Sequence, residues 1–464
     1  MKQFNNLKVG IDIRNIGKKR TGDEAVFFEL VKNLERVTRN VKRERRYNYK
    51  FLLFTDITDG EVLKDIKKGL GIENRKDFEI VSLKSKNKFI WNLWTLPKHL
   101  RKHPVDIYHT QYITPFFVPR KIKIITHIHD VSFKVYKRFI KWSDLLFLSV
   151  LIPMSIRRAD KIIAVSKFTK NEIIKYYSKS LFTLLCKKRE LREKVEVVYN
   201  AVSSPFRKGR VREGFEKREG KESIQINDSF QIPLNPPFPK GENVRKKYNL
   251  PEKYILYLGT LQPRKNIPTL IEAYAKIKNK IPDAGLVIAG NLQAHNMDPK
   301  ILNIKYQISN KTLNPNNKLN KKKNLLFRNL TLNWNLDFEI CNFVHFPGFI
   351  DEEDKMDIIA GARLFVFPSL YEGFGIPILE AMSQNVPVAA SDIPSLEEVG
   401  GNAYAKFNPR DLDEIAEKLY TVCMDENLRK KLINLGRSRV KFFSWEKSAK
   451  RMLEIYESLI RKIR

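Results

Sequence analysis

Cysteine is scarce in this chain: Cys186, Cys341 and Cys423 stand far apart in 464 residues, with no CxxC spacing. That pattern excludes a disulfide framework and a thiolate zinc site, and it fits a reducing, cytoplasmic setting. Long apolar runs are lacking too. The most lipid-like stretch, Leu145 to Ile156, is interrupted by Pro153 and followed by Arg157 and Arg158. It is too short to span a bilayer and reads as a buried helix. The opening MKQFNNLKVGIDIR has no apolar core of the kind a cleaved signal peptide needs. A GxGxxG dinucleotide fingerprint is absent. Acidic residues are outnumbered, 52 against 86 Lys and Arg, for a net charge of +34. Such an excess favours anionic partners, whether phosphorylated substrates, lipid headgroups or nucleic acid. Part of it lies in two low-complexity inserts, so it says little about an active site.

What the sequence does contain is a regular alternation of strands and helices. Leu7 to Ile13 reads as a first strand, Gly17 to Gly22 as a polar loop, and Val26, Phe27, Leu30, Val31 and Leu34 as the apolar face of a helix. Further strands are expected at 51–54, 78–83, 105–109, 123–129, 161–165 and 195–199. The fifth of these seven strands runs into His127, His129 and Asp130. A strand's C-terminal end lies at the mouth of an α/β sheet, so His129 is a functional candidate. His127, on the same face but further back, reads as structural. The pattern restarts at Tyr254–Leu258 and continues through 285–290, 343–346 and 364–367. The expected fold class is therefore α/β, with two Rossmann-like, doubly wound domains at 1–202 and 251–440. A Pro- and charge-rich linker is expected at 203–250 and an Asn/Lys-rich insert at about 296–335. A C-terminal helix at 441–464 is expected to pack back toward the N-terminal domain.

The densest chemistry lies in RLFVFPSLYEGFGIPILEAMSQNVPVAASD, Arg363 to Asp392. A buried strand, a Gly-bearing loop, a helix opened by Pro377 and a second strand follow one another. A helix N-terminus beside a strand's C-terminal end attracts anions. Arg264 and Lys265, in the turn after the strand Tyr254–Leu258, add charge that suits a diphosphate. Glu372 and Glu380 are acceptor-only when ionised, and hydroxyls are their natural partners. Asp411-Leu412-Asp413 is a nominal DxD metal motif, but it opens a helix where the dipole accounts for it. No metal site is expected.

PSLYEGFGIPILEAM resembles the E-x7-E signature of retaining, nucleotide-sugar-dependent enzymes of glycosyltransferase family 4, which have the GT-B fold. GTLQPRKNIPTLIEAY, GFIDEEDKMDIIAGARLFVFPS, ADKIIAVSKFTKNEI, VEVVYNAV and THIHD are similar to other segments of that family, in the family's order. The resemblance implies two domains facing a cleft. It implies that Gly259, Arg264, Lys265, Gly373, Phe374, Gly375, Ile376 and Glu380 bind the donor, with Glu380 on the ribose. Glu372 and His129 would flank the transferred sugar, and Thr21 and Gly22 would lie on the acceptor side or near the phosphates. It implies a UDP- or GDP-linked hexose donor, mannose or a similar sugar, and no further cofactor. The acceptor would be a polysaccharide, an oligosaccharide or a lipid-linked glycan. In such a family the leaving phosphate itself serves as base for the incoming hydroxyl. Asp23-Glu24, where the family has a small Gly-containing turn, and Ala201, where it has glycine, are departures. A peripheral contact with the inner face of an anionic membrane fits the charge; specific nucleic-acid binding is not expected. The alternatives are a nucleotide-sugar epimerase of the same fold and a non-catalytic basic binding protein.

Overall fold

The computed structural model describes residues 5–18, 22–40, 47–137, 140, 142–178, 188–202, 241–290 and 343–461. Thr21, Cys186, Cys341, residues 203–240 and the insert at 296–335 lie outside them. The chain divides into two compact units, Met1–Ala201 with Phe443–Arg464, and Val202–Phe442.

The first unit is built on β1 (Asn5–Asp12), β2 (Tyr47–Thr55), β3 (Phe78–Ser82), β4 (Ile107–Gln111), β5 (Lys123–Ile128), β6 (Lys161–Ala164) and β7 (Val195–Val197). All pairings are parallel, in the order β3-β2-β1-β4-β5-β6-β7. The order reverses between β1 and β4, the place where such sheets offer a crevice for ligands. Both faces of the central strands are covered, so Val9, Ile11, Ile107, Ile124 and Ile125 are all fully buried. The C-terminal helix, Trp445–Arg461, lies against the first helix, Gly22–Asn40. Its buried residues Trp445, Ala449, Met452, Tyr456 and Leu459 recur at helical spacing. The Tyr49 hydroxyl donates to Glu457 at 2.7 Å and Ser448 donates to the Tyr199 carbonyl at 2.6 Å. The chain's last helix is thereby part of the first unit's core.

Among the described residues the second unit has six parallel strands: β8 (Tyr254–Leu258), β9 (Gly285–Ala289), β10 (Val344–Gly348), β11 (Leu364–Phe367), β12 (Val388–Ser391) and β13 (Ala405–Phe407). Their order is β10-β9-β8-β11-β12-β13, with the reversal between β8 and β11. Close approach between loops at that end requires glycine at 290, since a Cβ there would sit 2.0 Å from the Gly259 carbonyl oxygen.

Two expectations are corrected. The linker expected to run to residue 250 stops earlier, because Gly241–Lys247 is helical. Lys247 pairs with Asp351 at 2.7 Å and Asp354 at 2.6 Å, while the Tyr248 hydroxyl reaches both carboxylates. Those tertiary bonds hold a short helix whose position after four prolines hides it from periodicity. The apolar stretch at 145–156 is a helix, Trp142–Arg158, but only one side of it is buried. Ile152 and Ile156 enter the core, whereas Trp142, Leu146 and Met154 are exposed.

Candidate active site

Two loops meet at the reversal between β8 and β11. After β8 the chain turns through a single 3₁₀ turn, Pro263–Lys265, and Asn266 takes a left-handed φ of 60° before the helix Ile267–Ile277. Asn266 tolerates that conformation, and its side chain donates to the Pro409 carbonyl at 2.7 Å. After β11 the loop Pro368–Gly375 leads into the helix Ile376–Ser383. The loops are tied by the Leu370 N–H donating to the Arg264 carbonyl at 2.8 Å.

The side chains complete the connection. Arg264 Nη1 donates to the Tyr371 carbonyl at 3.1 Å and lies 3.4 Å from Glu372 Oε2. Lys265 Nζ donates to Glu372 Oε1 and sits 5.0 Å from the Phe367 ring centroid. Both Lys265 and Glu372 are buried. Burial pushes the Glu372 carboxyl up, but Lys265 and Arg264 outweigh it and hold it below the ordinary carboxylate range. Two cations face one carboxylate, so the loop pair keeps positive charge for an anion.

Gly375, the residue before the helix, has φ 110°, and a Cβ there would come within 2.5 Å of the Leu396 side chain. Glycine is therefore obligatory at that entry. Phe374 is buried and Ile376 half-buried, and Gly373 lies between Glu372 and Phe374 in the same loop. Gly259 closes β8, its N–H donating to the Ala289 carbonyl at 3.0 Å.

Glu380 is not joined to that cluster. It lies buried on the helix Ile376–Ser383 and accepts from Lys355 Nζ at 2.6 Å. Lys355 projects from the helix Glu352–Ala360 and also lies 3.3 Å from Glu352. Burial would lower the Lys355 ammonium, yet Glu380 and Glu352 together raise it. Lys355 therefore stays charged and fixes one carboxylate oxygen of Glu380, leaving the other to accept from a hydroxyl. Sequence reading missed Lys355; its one signal was a lone cation in the acidic run DEEDKMD.

In the first unit, His129 follows β5 and is buried, with its Nε2 3.9 Å from Asp23 in the first turn of the first helix. Gly22 is the first residue of that helix. Behind His129 stand two more histidines. The His127 ring stacks on His129 at 4.7 Å and on His109 at 5.7 Å, and Phe27 packs its edge or face against all three. His109 Nδ1 lies 2.8 Å from the Tyr456 hydroxyl. Burial lowers His109 to about 3 and His127 well below its ordinary value, so both are neutral. The structural reading of His127 agrees with this packing. Asp411, the first carboxylate of the nominal DxD, accepts from the Asp413 and Glu414 N–H groups, both at 3.0 Å, as a helix cap. Among the described residues no group of three His, Cys, Asp or Glu side chains is placed to hold a metal.

Residues 241–439 match the family model described as Glycosyl transferases group 1. Residues 34–204 match the model described as Glycosyltransferase Family 4. The chain belongs to glycosyltransferase family 4. It is accordingly an enzyme of the hexosyltransferase class, and its two parallel-sheet domains are the GT-B fold. O-antigen chain mannosyltransferase B of Escherichia coli is 27% identical over 362 residues, 78% of this chain and 76% of that protein. Serotype-specific mannosyltransferase WbdA of Escherichia coli is 30% identical over 225 residues, 47% of this chain but 23% of that protein. Among solved structures, sucrose-phosphate synthase from Thermosynechococcus elongatus superposes with a TM-score of 0.62 at 17% identity, covering 98% of this chain and 100% of that one. Anabaena HepE in complex with UDP-glucose gives 0.59 at 16% identity, with coverage of 98% and 100%. These two likenesses are likenesses of fold. Within the glycosyltransferase, the loops after β8 and β11 and the helix Ile376–Ser383 hold the candidate residues described above; Thr21 lies outside the described residues.

Proposed function

We propose that this glycosyltransferase moves a hexose, with mannose the first candidate, from a UDP- or GDP-linked donor to a glycan acceptor with retention of anomeric configuration. The observation that carries the reading is the Arg264–Lys265–Glu372 cluster at the reversal of the second sheet. It supplies fixed positive charge where a departing diphosphate would gain negative charge. The anomeric C1–O bond to phosphate breaks, and its electron pair stays on the phosphate oxygen. The acceptor hydroxyl forms the new bond to C1 from the same face, and its proton passes to that phosphate oxygen. Glu372 would orient the sugar hydroxyls and Glu380 the ribose, while His129 is the candidate that the first unit offers. No metal is needed in this scheme, since the two cations do the neutralising. Mannose rests on the names of the Escherichia coli relatives, and a UDP donor on the HepE complex. The acceptor would be a polysaccharide, an oligosaccharide or a lipid-linked glycan.

A thermal-shift screen with UDP, GDP and their sugars tests the donor. Ligand that binds only the folded protein stabilises it, by about 2.7 kcal/mol at a hundredfold excess over Kd, and so raises the midpoint. One nucleotide series should stabilise the chain, and stabilisation by neither would remove the basis of the proposal. Turnover of the donor to an epimeric nucleotide sugar without acceptor would instead favour an epimerase.

A further inference from the structure

The first unit carries a surface for which the sugar chemistry has no use. Between β3 and β4, residues 83–104 contain no acid and six cations: Lys84, Lys86, Lys88, Lys98, Arg101 and Lys102. All six are exposed, and none is in an ion pair among the described residues. In the middle of this segment Trp91–Thr95 forms a π-helical turn, a rare geometry that often marks functional sites. The turn buries Trp91 completely and leaves Trp94 66% exposed, with Leu93 beside it also in solvent.

Neighbouring elements extend the apolar surface on both sides. On one side Phe89 packs against Phe147 of the helix Trp142–Arg158, ring centroids 4.7 Å apart, and Lys88 lies over the Phe147 ring at 5.1 Å. The same helix carries Trp142, 78% exposed, and Leu146, within two turns of Phe147. On the other side the Phe116 N–H donates to the Asn92 carbonyl at 2.8 Å, which brings Phe117 next to the π turn. Phe117 is 70% exposed at a φ of 55°. A bulky residue in left-handed backbone is strained, so the fold accepts strain to hold this ring in solvent. Arg101 secures it by donating to the Phe117 carbonyl at 3.1 Å.

Exposed aromatics interleaved with unpaired lysines match the boundary of a bilayer. There rings sit at headgroup depth and long cationic side chains reach lipid phosphates. The core of a protein interface is depleted in lysine, so the same surface fits a protein partner poorly. We propose that this surface docks the first unit onto an anionic lipid bilayer, with Phe89, Trp94, Phe117 and Trp142 entering the headgroup boundary. A lipid-linked acceptor would make such docking useful, but the docking itself needs no nucleotide, so its test is separate from that of the donor.

The test uses the full chain with vesicles of phosphatidylcholine alone or mixed with brominated phosphatidylglycerol, read by co-sedimentation and tryptophan quenching. Wild-type protein is expected to bind the anionic vesicles, increasingly weakly with salt, and to be quenched by the brominated chains. Trp94→Ser combined with Trp142→Ser should keep the thermal midpoint and lose roughly tenfold or more of the partitioning, with most of the quenching. Lys84→Gln, Lys86→Gln and Lys88→Gln together should weaken binding to anionic vesicles by about a hundredfold, at ~1 kcal/mol per lysine. Absence of binding by the wild type would overturn the proposal. So would tryptophan variants that bind and quench like wild type, which would place binding in charge elsewhere. A change of oligomeric state in those variants without vesicles would also overturn it, making the surface a contact between copies.

Discussion

Glu372 shows how much a carboxylate's meaning depends on its neighbours. Isolated at a helix entrance it would be a dipole contact; beside Lys265 and Arg264 it is a buried, ionised group that holds two cations in place. Replacing it by Gln keeps the shape and removes the charge, leaving Lys265 buried without its counter-ion. Glu372→Gln should lose about a hundredfold or more in sugar transfer and about 3 kcal/mol in stability, measured by donor consumption and by urea melts. Lys355 makes a different prediction. If it fixes one oxygen of Glu380 for the ribose, Lys355→Met should weaken UDP or GDP by about tenfold, the worth of one charge-assisted hydrogen bond. Binding of the 2′,3′-dideoxy nucleotide should change little, and calorimetric titration of both distinguishes this from a general loss of structure. Arg264, Lys265 and Glu372 were legible because each lies in a loop just after an apolar strand. Lys355 was not, because its partner Glu380 is 25 positions away on another helix.

At the scale of elements, buried strands were the most readable feature. β8, β9 and β11 stand out as short apolar runs, since a parallel strand covered on both faces has no polar alternation. Helices that depend on particular tertiary partners were not readable. Gly241–Lys247 is held by Lys247 and Tyr248 on Asp351 and Asp354, and neither bond leaves a local signature. For the helix Trp142–Arg158, apolar composition predicted burial, but composition does not say which side finds neighbours. The entry to the helix Ile376–Ser383 is the element most sensitive to one atom. Gly375→Ala would force a side chain into left-handed backbone and against Leu396, destabilising the second unit by roughly 2 kcal/mol or more. Donor binding should fall with it while the first unit's stability is unchanged, as domain-resolved hydrogen exchange would show.

Across the whole molecule, the last helix returns the chain's end to the unit where it began, and Tyr456 brings it against the histidine column. That column makes stability depend on pH. An unfolded histidine titrates near 6.5, whereas in the fold His109 is held at about 3 and His127 well below its ordinary value. The unfolded chain therefore binds more protons across that interval. The stabilisation is fully present above about pH 6.5 and is lost as pH falls toward the folded values, at up to ~1.4 kcal/mol per pH unit for each histidine. Urea midpoints of the first unit at pH 7, 6 and 5 should decline accordingly, and His127→Leu should reduce the slope by about one proton. The two-domain architecture was visible in sequence because both halves repeat strand, loop and helix. The column was only partly visible: strand parity put His127 and His129 on one face, but His109 joins them through sheet pairing, Gln111 beside His127 across β4 and β5.

The central claim is that Arg264 and Lys265 hold the diphosphate of a nucleotide donor. Calorimetric titration of the nucleoside diphosphate and the matching monophosphate into wild type and Arg264→Ala tests it most directly. The account predicts that the variant loses about tenfold or more in affinity for the diphosphate, at 1.5–3 kcal/mol for a hydrogen bond to a charged group, and much less for the monophosphate. Equal loss for both ligands, or diphosphate binding unchanged by the substitution, would contradict it.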